Sequence, residues 1–246
     1  MNFREELYRL FCVPKCPSCN AFLKRGETVL CRDCMSKYLG EKVQACSFCF
    51  QDISKCSCTP KTFKKAKIRH LFKISRYYSK REDSPTKQLI FSLKKDNLRK
   101  VIDFMAQEIA DRLIAFYGED ISNIVIIPIP RRKSNVIKYG YDHASKLARK
   151  VSKKLRCKFV LALKSNTKME QKGLTRKERH KNVKFALNKK INLQGARIVI
   201  LDDIVTSGAS MLEASKLLFQ LQPNEISGVC FAISYNDIDL NADIPF

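Results

Sequence analysis

The chain has 246 residues, of which 45% are hydrophobic, so it can bury one substantial core and a smaller second one. Its formal net charge of +23 comes from 47 Lys and Arg against 24 Asp and Glu. The composition excludes a disordered chain, and no apolar run approaches the roughly 20 residues of a membrane-spanning helix. Residues 1–12 are too mixed in charge for a secretory signal, so we expect a cytoplasmic protein without a membrane span.

The positive charge is concentrated in one part of the chain. Residues 141–194 carry 17 Lys and Arg against three Asp and Glu, a net charge of +14, whereas residues 195–246 have a net charge of −5. Such a density of cations attracts polyanions, which favours contact with nucleic acid or with a small polyphosphate. A solvated surface in a Lys-rich chain is the alternative.

Nine of the eleven cysteines lie between residues 12 and 58. Eight of these form closely spaced pairs: Cys16 and Cys19, Cys31 and Cys34, Cys46 and Cys49, and Cys56 and Cys58. Two such pairs can complete a tetrahedral Zn²⁺ site. The pattern therefore predicts a zinc ribbon domain over residues 1–62 with one or two structural zinc sites.

The cysteine spacing leaves the assignment of ligands to sites open. Sequential sites would use the first four and the last four of these cysteines, and a cross-braced arrangement would interleave the pairs. Disulfides are less favoured because we expect a reducing compartment, and the spacing is not that of ferredoxin-type iron–sulfur ligands. Cys12 is expected to be a buried or spare thiol, whereas Cys157 and Cys230 are expected to be small core residues rather than ligands.

A second domain is predicted over residues 68–246, after a basic, proline-containing link at 59–67. Its first elements are a strand at 68–78, a short apolar helix at 88–93 and a longer helix at 98–117 that ends at Gly118. A buried strand at 123–129 then runs into Arg131, Arg132 and Lys133. Because α/β sheets bind ligands at the carboxyl ends of their strands, these cations favour an anion site over a solvated turn.

The rest of the chain continues the alternation of helices and strands. A helix is predicted at 141–155, strands at 159–163, 198–201 and 226–234, and a helix at 209–221. The polar segment 164–184 is long enough to be either functional or disordered. The alternation predicts an α/β fold, a parallel sheet with helices on both faces. The helix predicted at 141–155 has a basic face, which is either solvated or in contact with nucleic acid. This face consists of Lys146, Arg149, Lys150, Lys153 and Lys154.

The most informative segment is 197–210, where an apolar strand runs into Asp202 and Asp203 and then into the small residues Thr206 to Ser210. Free N–H groups at the start of the following helix suit a phosphate, and Gly208 lets the backbone approach it closely. Because carboxylates do not bind phosphate, we expect Asp202 and Asp203 to face hydroxyl groups or a hydrated cation. The segment therefore predicts a sugar-phosphate site.

This segment resembles the phosphoribosyl pyrophosphate (PRPP) loop of the type I phosphoribosyltransferases, and the wider pattern resembles the ComF family of competence proteins. The landmarks are the cysteine pairs, the segment 139–144, the segment 171–187 and the loop at 202–210. The second landmark departs at four of five positions from the family form Arg-Gly-Phe-Asn-Gln. The resemblance covers most of the chain and implies a type I phosphoribosyltransferase-like sheet preceded by the zinc ribbon domain.

The resemblance also implies roles for individual residues. Arg131 and Arg132 would hold the pyrophosphate, and Arg176 and Arg179 would belong to a mobile flap that closes over it. No catalytic residue is indicated. The PRPP-binding residues, acting with Mg²⁺ on the ligand, would be Asp202, Asp203, Thr206, Ser207, Gly208, Ala209 and Ser210.

Three functions fit these observations. The favoured one is a ComF-type competence protein that binds PRPP and single-stranded DNA during DNA uptake for natural transformation, with other competence proteins as partners. The second is an active phosphoribosyltransferase, a glycosyltransferase-class enzyme, but no residues that would recognise a base or amine acceptor are evident. The third is a zinc-ribbon nucleic-acid protein in which the PRPP loop is a relic. Whether the protein is an enzyme stays open.

Overall fold

The centre of the computed structural model is a five-stranded parallel sheet with the strand order β1-β7-β6-β2-β3. The structure describes residues 13–46, 52–53, 59, 61–95, 99–131, 136–137, 140–166, 185–188 and 191–235. The sheet strands are β1 (Leu71–Tyr78), β2 (Ile124–Pro128), β3 (Lys158–Phe159), β6 (Arg197–Val205) and β7 (Glu225–Tyr235). Strands β4 (Leu163–Ser165) and β5 (Phe185–Leu187) form a separate antiparallel pair.

Helices cover both faces of the sheet, as the alternating pattern predicts. One face carries α1 (Arg32–Glu41), α3 (Pro85–Lys95), α4 (Arg99–Tyr117) and α5 (His143–Leu155). The other face carries the short helix α2 (Lys61–Lys65), the β4–β5 pair and α6 (Ala209–Phe219). A 3₁₀ helix (Gly118–Asn123) joins α4 to β2. The α/β fold with helices on both faces of a parallel sheet is confirmed.

Alternate residues of each strand fill two separate cores, because successive side chains of a strand point to opposite faces. In β6, Val199 and Leu201 pack under α3, α4 and α5, whereas Ile198 and Ile200 pack under α6. The same alternation holds in β2, where Ile126 belongs to the first core and its neighbours to the second. All of these side chains are almost fully buried, so each central strand reads as a continuous apolar run.

The cysteine-rich segment packs into the first core rather than standing apart from it. Tyr38 of α1 is fully buried, stacks on Phe231 of β7 at 6.2 Å between ring centroids, and donates a hydrogen bond to Glu108 of α4 at 3.0 Å. At the end of α1, the Glu41 carboxylate accepts a 2.9 Å hydrogen bond from the N–H of Thr86 in the first turn of α3. The helix α1 is therefore part of the layer that covers the sheet, and the sequence patterns did not predict it.

Several predicted boundaries differ from the observed ones. The strand predicted at 159–163 is two short strands, because after Val160 donates to the carbonyl of Ile126 the chain leaves the sheet. Strand β6 continues past residue 201 to Val205, because β7 still pairs with it there. The link at 59–67 is packed, since Phe63 is only 3% exposed and lies in the second core. Within the described ranges, no helix is both long enough and apolar enough to cross a bilayer.

Candidate functional site

The candidate site lies where β6 extends beyond its neighbour β2. The pairing of the two strands stops at Pro128 and Leu201, so the next residues of β6 pair only with β7. Asp202 and Asp203 lie in this extension, inside the strand rather than after it, and both are buried. The N–H of Asp203 donates a 2.9 Å hydrogen bond to Oδ1 of Asp202, which replaces a ladder partner on the open side.

Adjacent residues in an extended strand point to opposite faces, and the two carboxylates follow this rule. Asp203 lies on the same face of β6 as Leu201, toward α3 and α5. Asp202 lies on the opposite face, the one to which Ile200 points. Both nevertheless share one partner, the guanidinium of Arg131, which follows the end of β2. Its Nη2 contacts Oδ1 of Asp203 and lies 3.3 Å from Oδ1 of Asp202. The end of β2 therefore supplies the cation that joins the two acids.

Two further groups approach Asp203 from the helical layer. Lys94 at the end of α3 brings its Nζ to 3.4 Å from Oδ2, and His143 at the start of α5 brings its Nε2 to 3.5 Å from the same oxygen. Both contacts are too long or too poorly aligned to count as hydrogen bonds, so Oδ2 has charged neighbours but no hydrogen-bond partner among the described residues. The fully buried Asp203 carboxylate thus lies next to the positive charges of Arg131 and Lys94 and to the imidazole of His143.

The pKa values of the two carboxyls are shifted in opposite directions. Burial by itself would raise both. For Asp203 the attraction of Arg131, Lys94 and His143 outweighs burial and holds the pKa well below its usual range. For Asp202 burial dominates and the charge of Asp203 adds to it, so the pKa lies well above its usual range despite Arg131. The pair therefore favours a single negative charge, carried by Asp203.

The turn after β6 has the geometry of a close backbone approach. Gly208 adopts a left-handed conformation, with φ of 73°, directly before α6. A Cβ at this position would lie 2.6 Å from Cζ of the buried Phe63, so only glycine fits. Ser207 Oγ accepts a weak 3.4 Å bond from the N–H of Ala209, and Thr206 is exposed. Thr206 to Ser210 therefore lie at the junction of β6 and α6, and their role as a phosphate-binding turn stays a prediction.

Residues 140–144, the described part of the segment 139–144, organise the start of α5. Gly140 has a φ of 74° and lets the chain turn, and the hydroxyl of Tyr141 donates a 2.8 Å hydrogen bond to the carbonyl of Leu93 in α3. Asp142 caps α5 by accepting a 3.0 Å bond from the N–H of Ser145. The residues that replace the family motif therefore hold α3 and α5 together beside Asp203. Lys94 and His143 were not assigned roles from sequence, since their contacts join segments far apart in the chain.

The first four cysteines form a second candidate site. The sulfur atoms of Cys16, Cys19, Cys31 and Cys34 all lie within 4.8 Å of one another, and those of Cys19 and Cys31 are 3.6 Å apart. Four sulfurs at about 2.3 Å from a Zn²⁺ ion would be about 3.8 Å apart, so this donor set fits a structural zinc ion. The set is the sequential one. We call it the first cysteine cluster.

Within the first cysteine cluster the backbone favours a thiolate at Cys16 only, since the thiol pKa values of Cys19 and Cys34 are raised, that of Cys34 mainly by burial. Burial alone would raise the pKa of the Cys16 thiol, but backbone hydrogen bonds from Ser18, Cys19 and Cys31 lower it below its usual value. Such bonds to ligand sulfurs orient the ligands and tune the metal in structural sites. Among the described cysteines none forms a disulfide.

The structure describes only some of the remaining predicted site residues. Cys46 of the predicted second zinc site is buried. Cys157 is partly buried and Cys230 fully buried, which fits their expected role as core thiols. Lying outside the described residues are Arg132, Arg176, Arg179, Cys12, Cys49, Cys56 and Cys58.

Comparisons with known proteins match the same part of the chain. A family model described as a phosphoribosyl transferase domain matches residues 95–237. Competence protein F of Haemophilus influenzae is 31% identical over 106 residues, which cover 41% of this chain and 46% of that protein. DNA utilization protein YhgH of Escherichia coli O6:H1 is 28% identical over 97 residues, which cover 39% of this chain and 43% of that protein. The matches thus span less than half the length of these curated relatives.

Solved structures give weaker likenesses. An adenine phosphoribosyltransferase is 18% identical, with 54% of this chain and 71% of that chain covered and a TM-score of 0.38. A hypoxanthine phosphoribosyl transferase of Trypanosoma cruzi is 15% identical, with 55% and 74% covered and a TM-score of 0.38.

Proposed function

The chain is a ComF family protein with a phosphoribosyl transferase domain, and on this basis we propose that it binds PRPP and single-stranded DNA and acts in DNA uptake. The observation that supports PRPP binding is the Asp202–Asp203 pair, which precedes the Gly208 turn at the carboxyl end of the central strand β6. Carboxylates suited to a ribose diol are followed there in the chain by the start of α6, where the first N–H groups of a helix suit a phosphate.

In this proposal the ion pairs around Asp203 are exchanged when PRPP arrives. Arg131 is 23% exposed in its side chain, so a ligand can reach it from solvent. The ribose hydroxyls would take over hydrogen bonds on Asp202 and Asp203, and the released guanidinium would meet the diphosphate, for which its planar donors are suited. Lys94 and His143 would keep Asp203 ionised during the exchange. Arg131 would therefore pair with the carboxylates in the free protein and with the pyrophosphate group in the PRPP complex.

Metal ions enter the proposal in two different ways. The first cysteine cluster fits zinc, which would hold the start of α1 to the preceding turn. The charge of Asp203 is already matched by cations, and Asp202 favours its neutral form, so the pair does not fit as a separate Mg²⁺ site. Mg²⁺ would come to the site only as the counter-ion of the PRPP diphosphate.

The test is calorimetric titration of PRPP with Mg²⁺ into the wild-type chain and into Asp203→Asn. Asparagine is preferred to alanine because it keeps the volume in a fully buried position. Losing one hydrogen bond to a charged group weakens binding by about 1.5–3 kcal/mol, a rise in Kd of roughly tenfold to a hundredfold. Asp83→Asn, an exposed carboxylate paired with Lys37, is the matched control and should bind as wild type. Equal affinity for all three proteins would refute the site.

Turnover is a separate question, and an assay of PRPP hydrolysis and exchange across bases and amines decides it. Base- or amine-dependent release of pyrophosphate would assign the alternative function, an active phosphoribosyltransferase. PRPP binding without release would support a binding protein. Neither binding nor release would leave the zinc-ribbon nucleic-acid protein as the remaining function.

A further inference from the structure

An open groove of about 290 Å³ runs between α4 and α5 on the helical face of the protein. It is separate from the Asp202–Asp203 site, although both involve α5: His143 at the start of this helix faces Asp203, and the groove begins one turn further on. Its lining is strongly basic and consists of Arg99, Ile102, Asp103, Lys146, Arg149, Lys150 and Lys153. The lining thus contains five cationic side chains and a single carboxylate, that of Asp103.

Most of this positive charge has no carboxylate partner among the described residues. Lys150 forms a 2.6 Å ion pair with Asp103 across the groove. Arg99, Lys146, Arg149 and Lys153 form no ion pair with a carboxylate in the part of the chain that the structure describes. Four cationic groups in one concave surface repel each other, which costs stability unless an anion joins them.

Two of the cations are held in place by aromatic rings. The guanidinium of Arg149 lies 4.6 Å from the ring centroid of Phe159, and Nζ of Lys146 lies 4.3 Å from that of Tyr141. Such cation–π contacts contribute about 0.5–1 kcal/mol at exposed sites and restrict the side chains. The basic groups are therefore presented at fixed positions rather than dispersed in solvent.

The spacing of the cations matches an extended polyanion better than a compact one. Lys146, Lys150 and Lys153 lie on one side of α5, and seven residues of helix extend about 10 Å. This length is that of about three nucleotides at the roughly 3.4 Å rise of a stacked strand. Arg99 adds a cation from the opposite wall on α4. A free di- or triphosphate would contact only part of this row.

We propose that this groove, which we call the α4–α5 groove, binds the phosphodiester backbone of single-stranded DNA. The inference rests on the nucleic-acid half of the proposed function and gives it a location. A single strand can follow a concave basic groove, and sequence-independent single-strand binders combine such a groove with aromatic rings, which Tyr141 and Phe159 supply beside the cations here. A duplex presents its phosphates on a convex surface, so it would touch the rim of the groove rather than its floor at Ile102.

The experiment measures binding of a fluorescently labelled 20-nucleotide oligo-dT to the full chain by anisotropy at several salt concentrations. The groove variant is Lys146→Gln with Lys153→Gln, both exposed positions. The matched control is Lys64→Gln with Lys216→Gln, which removes the same charge from exposed helical lysines on the other face of the sheet. Circular dichroism and PRPP calorimetry on each variant check the fold and the other site.

For single strands the logarithmic salt slope changes by about 0.7 per phosphate contact. The groove variant should therefore lose about 1.4 from the slope, and roughly tenfold in affinity near 0.15 M salt. The control variant should bind oligo-dT within about twofold of wild type, and PRPP affinity should be unchanged in both.

Three results would overturn the inference, and they can be told apart. If wild type binds oligo-dT and the groove variant binds equally well, the location is wrong while DNA binding stands. If wild type does not bind oligo-dT although it binds PRPP, the nucleic-acid half of the proposed function fails as well. If duplex DNA binds as tightly, or tripolyphosphate competes as well as unlabelled oligo-dT at equal phosphate concentration, the groove does not select a single strand.

Discussion

The contact between Gly208 and Phe63 allows a quantitative test of the turn that follows β6. Replacing Gly208 by alanine has two costs. A non-glycine residue at a φ of 73° is strained by about 1–2 kcal/mol. In addition, the new Cβ would lie 2.6 Å from Cζ and 3.0 Å from Cε2 of Phe63. Phe63 is only 3% exposed, so its ring cannot swing into solvent, and overpacking of this kind costs about 1–3 kcal/mol.

We therefore expect Gly208→Ala to lower the free energy of unfolding by about 2–5 kcal/mol. Gly195→Ala is the matched control, because Gly195 has a φ of 71° but no atom within 4 Å of its would-be Cβ. It should show the conformational cost alone, about 1–2 kcal/mol. Urea unfolding followed by circular dichroism measures both.

A double-mutant cycle with Phe63→Leu separates the two costs of Gly208→Ala. The shorter leucine side chain gives space to the new Cβ, so the double variant should recover at least about 1 kcal/mol relative to the sum of the single variants. Equal destabilisation in Gly208→Ala and Gly195→Ala, together with additive single changes, would refute the steric part of the reasoning.

Two further predictions concern charge and metal. Because the pKa of Asp203 is held below its unfolded value of about 3.9, its stabilisation is fully present above that pH and is lost as the pH falls through the folded pKa. Asp203→Asn should therefore cost about 3 kcal/mol at neutral pH and progressively less below about pH 4, measured by urea unfolding; a cost independent of pH would contradict the ion-pair assignment. Removing zinc with a chelator should lower the melting temperature, because the first cysteine cluster leads directly into α1 and the core residue Tyr38. Added Zn²⁺ but not Mg²⁺ should restore it, and a purified chain that contains no zinc would show that the cluster is not a metal site.

The docking of α1 shows where the sequence patterns were weakest. The spacing of the first four cysteines predicts that they cluster, because each pair needs only a local turn to bring its two sulfurs together. The position of Tyr38 between Phe104 and Phe231 depends on residues about 70 and 190 positions away, so no local periodicity signals it. The cysteine spacing predicts a zinc ribbon as a separate domain. In the structure, residues 16–38 contribute side chains to the same core as the sheet. The boundaries at 1–62 and 68–246 remain predictions.

Local sequence patterns are sufficient to predict the parallel α/β fold and the two regions that hold the candidate sites. Apolar runs of four or five residues define the buried strands, and the small residues from 206 to 210 mark a close backbone approach, since both are local properties of the chain. The packing of the folded chain places Asp202 and Asp203 on opposite faces of β6 with Arg131 as their shared partner. It also makes Lys94 and His143 converge on Asp203, and it places the basic side chains of α5 across a groove from Arg99. These arrangements depend on where β2 ends and on how α3, α4 and α5 pack, and such long-range contacts leave no periodic trace in the sequence.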